Sequence, residues 1–129
     1  REGDACMDLF VDTVEIVEDE FKIRHAIVNT GVCVEFPPGY SGELYARSSV
    51  ATKGYGWILA NGVGVIDNSY RGEIKAVFRI AQHARQFPYK HGDRCVQLKI
   101  VKDYNFDIEI VNELSETDRG DGGFGSTGK

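Results

Sequence analysis

Apolar and polar residues alternate with a period of two along much of the chain. Ile74, Ala76, Phe78 and Ile80 fall on one side of a run whose other side carries Glu73, Lys75, Val77 and Arg79, the pattern of a half-buried strand. Phe21, Ile23, His25 and Ile27 make a second face of this kind, which would place His25 among core residues. Shorter runs predict strands over residues 9–17, 32–36, 94–101 and 106–111, with Pro37-Pro38-Gly39 and His91-Gly92-Asp93 as turn signals. One short helix is predicted over Ser48–Lys53, entered at a Ser and followed by Gly54. Many short strands with polar turns imply an all-β sandwich or barrel. From Ser115 onward the periodicity stops and Gly, Ser, Thr and charged residues take over. The expected organisation is therefore a β domain over residues 1–114 and a mobile C-terminal arm over residues 115–129.

Composition narrows the function classes. A chain of 129 residues with 42% apolar and 27% charged residues fits one globular domain. It has no apolar run near the ~20 residues of a membrane-spanning helix. A net charge of −5 argues against broad binding to a nucleic-acid backbone, so an anionic ligand would be held by a local cluster of Arg, backbone N–H groups or a metal. Cys6, Cys33 and Cys95 are odd in number, widely spaced and without a C-x-x-C pair, which points to reduced thiols. With no secretory or lipidation signal, a cytoplasmic location is expected.

Three segments carry candidate chemistry. Residues 61–73, Asn-Gly-Val-Gly-Val-Ile-Asp-Asn-Ser-Tyr-Arg-Gly-Glu, put a carboxylate and an aromatic ring in a hairpin-like, Gly-rich context. Read alone, Asp67 is either a turn cap or a general base beside a ligand held by backbone groups, with Tyr70 as a wall. Arg47-Ser48-Ser49 at a strand-to-helix junction suits phosphate oxygens and equally suits a surface helix cap. In the arm, Gly123-x-x-x-x-Gly128-Lys129 approaches a P-loop but lacks the following Ser or Thr and a helix to follow. Its backbone N–H groups together with Arg119 could wrap a polyphosphate, and Phe124 could stack on a base.

Taken in order, five segments resemble the five motifs of the homotrimeric dUTPase family, in register over essentially the whole chain. They are Ala5-Cys6-Met7-Asp8-Leu9, Arg47-Ser48-Ser49, Gly64-Val65-Ile66-Asp67 with Tyr70-Arg71-Gly72, Arg94-Cys95-Val96-Gln97-Leu98, and residues 119–128. The resemblance implies a distorted β jelly-roll barrel, a homotrimer with active sites at subunit interfaces, and an arm that closes over the nucleotide. It implies Mg²⁺-dependent hydrolysis of dUTP to dUMP and pyrophosphate, which keeps uracil out of DNA and supplies dUMP for thymidylate synthesis. By position, Asp67 corresponds to the catalytic base and Asp8 to the carboxylate that holds Mg²⁺ through water. Arg47, Ser48, Ser49 and Gln97 correspond to phosphate contacts, and Asn61, Gly64, Ile66 and Lys75 to the uracil-reading hairpin. Tyr70 corresponds to the ring on deoxyribose, while Arg119, Phe124, Gly125, Ser126 and Thr127 correspond to the closing arm.

The chain departs from the family pattern at Cys6-Met7, Ala46, Ser69 and Cys95-Val96, none of which removes a proposed charged or nucleophilic group. A dCTP deaminase would share the fold but resembles a pattern with a catalytic Glu where this chain has Val77, and an aliphatic side chain cannot shuttle protons. A third reading is a trimer that engages a regulatory protein partner, as some viral relatives of the family do.

Overall fold

The strongest alternation in the sequence becomes the middle of a sheet. The structure, a computed structural model, describes residues 2–53, 55–81 and 86–122. Its strands are β1 (Met7–Phe10), β2 (Thr13–Glu18), β3 (Arg24–Asn29), β4 (Tyr40–Ala46), β5 (Trp57–Leu59), β6 (Val63–Ile66), β7 (Lys75–Ile80) and β8 (Arg94–Lys102). One helix, α1 (Ser48–Lys53), lies between β4 and β5. They form two four-stranded antiparallel sheets, in the orders β1-β8-β4-β6 and β2-β3-β7-β5. The all-β, jelly-roll-like architecture and the single short helix are as predicted.

Between the sheets lies one core that includes Leu9, Val28, Leu44, Trp57, Phe78, Val96 and Leu98. Burying each large aliphatic or aromatic side chain there contributes about 1.5–3 kcal/mol. Phe87 sits edge-on to Trp57 with ring centroids 5.2 Å apart, and 5.3 Å from Phe78. Gly42, in the middle of β4, makes room for this packing, because a Cβ there would stand 2.7 Å from Phe36 Cζ and 3.0 Å from Leu98 Cδ1.

The structure corrects four local expectations. The run over residues 9–17 is two strands in different sheets, because the chain turns a corner at buried Val11, whose N–H donates to Asp93 O and whose carbonyl accepts from Gly92 N–H. On β3 the core-facing residues are Ala26 and Val28, while Phe21 and Ile23 precede the strand and are exposed. Register explains the reversal: Ala26 pairs with bulky Phe78 and Val28 with small Ala76, so volumes complement across β7. His25 is accordingly half-buried beside Arg79 and Val17, and not a core residue. Residues 32–36 form no strand, although Val32 O accepts the Ile74 N–H and Phe36 is buried. Residues 106–111 form no strand and pair with no sheet among the described residues, and most of their apolar side chains are exposed. β4 and β5 were not predicted, since Gly42 and Glu43 break the apolar pattern of one and the other has three residues.

Candidate active site

Asp67 lies just past β6, where buried Ile66 ends the strand. The chain then turns, with the Tyr70 N–H donating to Asp67 O at 3.0 Å. Asn68 fixes this turn to the 36–40 loop: its Nδ2 lies 2.7 Å from Tyr40 O, 2.9 Å from Pro37 O and 3.3 Å from Phe36 O. Arg71 Nη1 donates to Asn68 O at 2.6 Å and to Tyr70 O at 3.0 Å. The Tyr70 hydroxyl donates to Glu73 O at 3.0 Å, and Glu73 Oε1 accepts the Gly31 N–H at 2.8 Å. Gly31 has φ +68°, a left-handed conformation that favours glycine. These bonds surround a cavity of about 240 Å³ lined by Val65, Ile66, Asp67, Tyr70, Glu73, Ile74 and Lys75. The cavity is part apolar wall and part polar rim, and among the described residues the Asp67 carboxylate lines it without a side-chain bond, a composition expected of a small-molecule site.

A second, charged site is built on β1, β8 and the end of β4. Asp8 and Gln97 are cross-strand partners, and Arg47 follows β4 with its N–H on Cys95 O at 2.9 Å. Asp8 Oδ1 is 2.6 Å from Arg47 Nε, and Asp8 Oδ2 accepts from Arg94 Nη1 at 3.0 Å. Asp8 thus aligns two guanidinium forks, leaving the trio with one net positive charge. Asp4, Cys6, Asp8, Arg47, Arg94 and Gln97 help line a cavity of about 640 Å³. Ser48 and Ser49 open α1 immediately after Arg47. Beneath this site Cys95 is fully buried, and burial pushes its thiol up to about 12. Burial also raises the Tyr89 hydroxyl, with the Ser49 side chain opposing the shift.

The structure therefore gathers the expected residues into two groups. Ile66, Asp67, Tyr70 and Lys75 share one cavity; Asp8, Arg47 and Gln97 share the other, with Ser48 and Ser49 adjoining in sequence. Asn61 lies in the turn before β6 and Gly64 within the strand, and a Cβ on Gly64 would stand 3.4 Å from Asn61 Nδ2. Arg119 is exposed, with its Nε donating to Gly122 O at 2.9 Å. Phe124, Gly125, Ser126 and Thr127 lie outside the described residues, as does His83. Register keeps the groups apart: Tyr45 pairs with Val63 and Gly42 with Ile66, so Arg47 and Asp67 fall at opposite ends of the β4–β6 pair. Six strand steps separate them, roughly 20 Å. Sequence reading missed Arg94 and Glu73 as site residues. Arg94 opens the Arg-Cys-Val-Gln-Leu segment, but nothing in a linear string says that it meets Asp8, 86 positions away.

A two-sheet β protein with one pocket beside Asp67 and a separate pocket carrying two Arg side chains has groups suited to a small ligand with a charged end. The dUTPase family profile matches residues 1–128. The deoxyuridine 5'-triphosphate nucleotidohydrolase of Hydrogenobaculum sp. (strain Y04AAS1) is 38% identical over 127 residues, covering 98% of this chain and 85% of the relative. That of Clostridioides difficile is also 38% identical, over 99% of this chain and 86% of its own length. Among solved structures, the dUTPase of Staphylococcus bacteriophage 80alpha superposes with a TM-score of 0.76 at 27% identity, covering 100% of this chain and 89% of that one. The chain belongs to the dUTPase family and is an enzyme, a nucleotidohydrolase of the dUTP diphosphatase class.

Proposed function

We propose that the chain hydrolyses dUTP to dUMP and pyrophosphate, with Asp67 as the base that activates the attacking water. The observation that carries this reading is the cavity in which Asp67, Tyr70 and the β6 backbone converge. The 80alpha relative described with dUpNHpp supports the same ligand class. Uracil would be read by Asn61 and by backbone groups at Gly64, Ile66 and Lys75, with the Tyr70 ring against the deoxyribose. Water placed by Asp67 would attack the α-phosphorus in line. The bond from that phosphorus to the bridging oxygen breaks, pyrophosphate leaves, and Asp67 takes the water proton.

Arg47, Arg94, Ser48, Ser49 and Gln97 would hold the phosphates. Since Arg47 and Asp67 occupy opposite ends of one β4–β6 pair, we assign the phosphate side of each site to a neighbouring copy, in a homotrimer. The C-terminal segment fits this assembly. Phe106, Ile108, Ile110 and Leu114 are 77%, 90%, 96% and 87% exposed, an unpaired strand pattern that another copy would cover. The arm, with Arg119, Phe124, Gly125, Ser126 and Thr127, would then close over nucleotide and exclude water.

Among the described residues, no group of three or more His, Cys, Asp or Glu is arranged to hold a metal ion. Asp8 Oδ2 accepts from Arg94 Nη1 and Oδ1 is ion-paired with Arg47, which leaves both oxygens acceptor capacity, so Asp8 would help to hold an Mg²⁺ through a water. When bound, Mg²⁺ would supply neutralisation of the triphosphate charge.

Pyrophosphate release from dUTP, dCTP, dTTP and UTP, measured with Mg²⁺ and after its removal by chelation, tests the proposal. Release from dUTP alone, lost on chelation, is expected; release from none of the four would overturn it. The product would supply thymidylate synthesis, and the reaction would keep uracil out of DNA. Sedimentation of the intact chain at three times the protomer mass is the matching result for assembly.

A further inference from the structure

Gly72 has no positive φ, so no turn requires glycine at this position. What requires it is a neighbour. A Cβ built on Gly72 would overlap the Tyr70 hydroxyl oxygen and come within 2.5 Å of Tyr70 Cζ and 2.9 Å of Cε2. The Tyr70 ring is therefore folded back across the bare backbone of Gly72, where its hydroxyl reaches Glu73 O at 3.0 Å. Glu73 is itself fixed, since its carboxylate holds the Gly31 N–H at 2.8 Å and faces Lys75 Nζ at 3.9 Å. The ring is 45% exposed and has no other bond among the described residues, so the Gly72 surface and the Glu73 carbonyl determine its position.

We propose that Gly72 is a specificity-determining position that acts through Tyr70: the missing Cβ is the seat on which the ring forms one wall of the Asp67 cavity. This rests on the reading that the ring faces the sugar. A methyl group at residue 72 would leave the backbone unstrained but evict the ring into solvent, since the side chain is the part free to move. The cavity would then lose the wall that packs against a 2′-deoxy carbon and excludes a 2′-hydroxyl.

The test is a double-mutant cycle on the full chain with Gly72→Ala, Tyr70→Ala and the pair, read by kcat and KM for dUTP and for UTP. Gly72→Ala is expected to raise KM for dUTP ~10-fold and to lower the preference for dUTP over UTP ~10-fold, with a smaller change in kcat. In the Tyr70→Ala background the same change should add nothing, because the ring it displaces is gone. Tyr70→Phe, which loses only the bond to Glu73 O, should fall between wild type and Gly72→Ala. Wild-type KM and preference in Gly72→Ala, or losses that multiply in the double variant, would overturn the proposal. Should Gly72→Ala alone fail to fold, recovery of the fold in the double variant supports the seat, and failure of both overturns it. A wild-type chain inactive on dUTP would overturn the proposed activity instead, and the folding comparison would still report on the seat.

Discussion

The two ends of the β4–β6 pair are held together by different means. At the Asp67 end the framework is made of side-chain bonds to backbone carbonyls: Asn68 ties the turn to the 36–40 loop, and Tyr70 and Arg71 bond carbonyls one to three residues away, so the turn that carries Asp67 is held in place. At the Arg47 end the framework is ionic and long-range, with Asp8 joining Arg47 and Arg94 across three strands. The difference suits the proposed roles of the two ends. A planar neutral base is recognised by fixed backbone donors and acceptors, whereas a polyphosphate needs mobile cations kept near one another at the cost of their mutual repulsion. Asp8 offsets that repulsion.

Three experiments press on this contrast. Asp67→Asn should lower kcat at least ~10²-fold while KM changes little, because an amide cannot accept the water proton and the surrounding turn stays bonded. Near-normal kcat, measured by pyrophosphate release, would remove Asp67 from the chemistry and leave it a turn cap.

Asp8→Asn should act the other way, raising KM for dUTP about 10-fold, because two guanidinium groups lose their common anion and spread apart. KM should also rise from low to moderate salt for the variant and wild type alike, as phosphate contacts are screened. A pure kcat loss would place Asp8 with the reacting atoms instead.

The smallest effect concerns the layer beneath the phosphate end. The Cys95 thiol has an ordinary value near 9.0 when open to solvent and about 12 in the fold, so between these values the folded chain keeps a proton that the unfolded chain has lost. Its contribution is fully present below pH ~9 and declines as pH rises toward ~12. Denaturation midpoints at pH 8 and pH 10 should therefore differ more for wild type than for Cys95→Ala. In native protein at pH 8, iodoacetamide should modify exposed Cys33 and spare Cys95. Equal labelling would mean that the phosphate end opens readily.

The elements differ in how legible they are in the sequence, for physical reasons. β7 and α1 were legible because each carries its own signal, alternation in one case and a Ser entry in the other. β3 was misread by one position because Ala26 looks unremarkable until Phe78 stands opposite it. The segment 106–111 has the composition of a strand but no partner within the described chain, and composition cannot say which chain supplies a partner.

The order and identity of the chemical groups, Asp8, Arg47, Asp67, Tyr70, Gln97 and Arg119, were fixed along the chain, and with them the family. Their grouping was decided only in three dimensions. Strand register set Arg47 and Asp67 at opposite ends of one ladder and brought Arg94 to Asp8, while the loop between β6 and β7 laid the Tyr70 ring on Gly72. Register is a property of paired strands and of the volumes that must fit between them, so no single run of residues contains it.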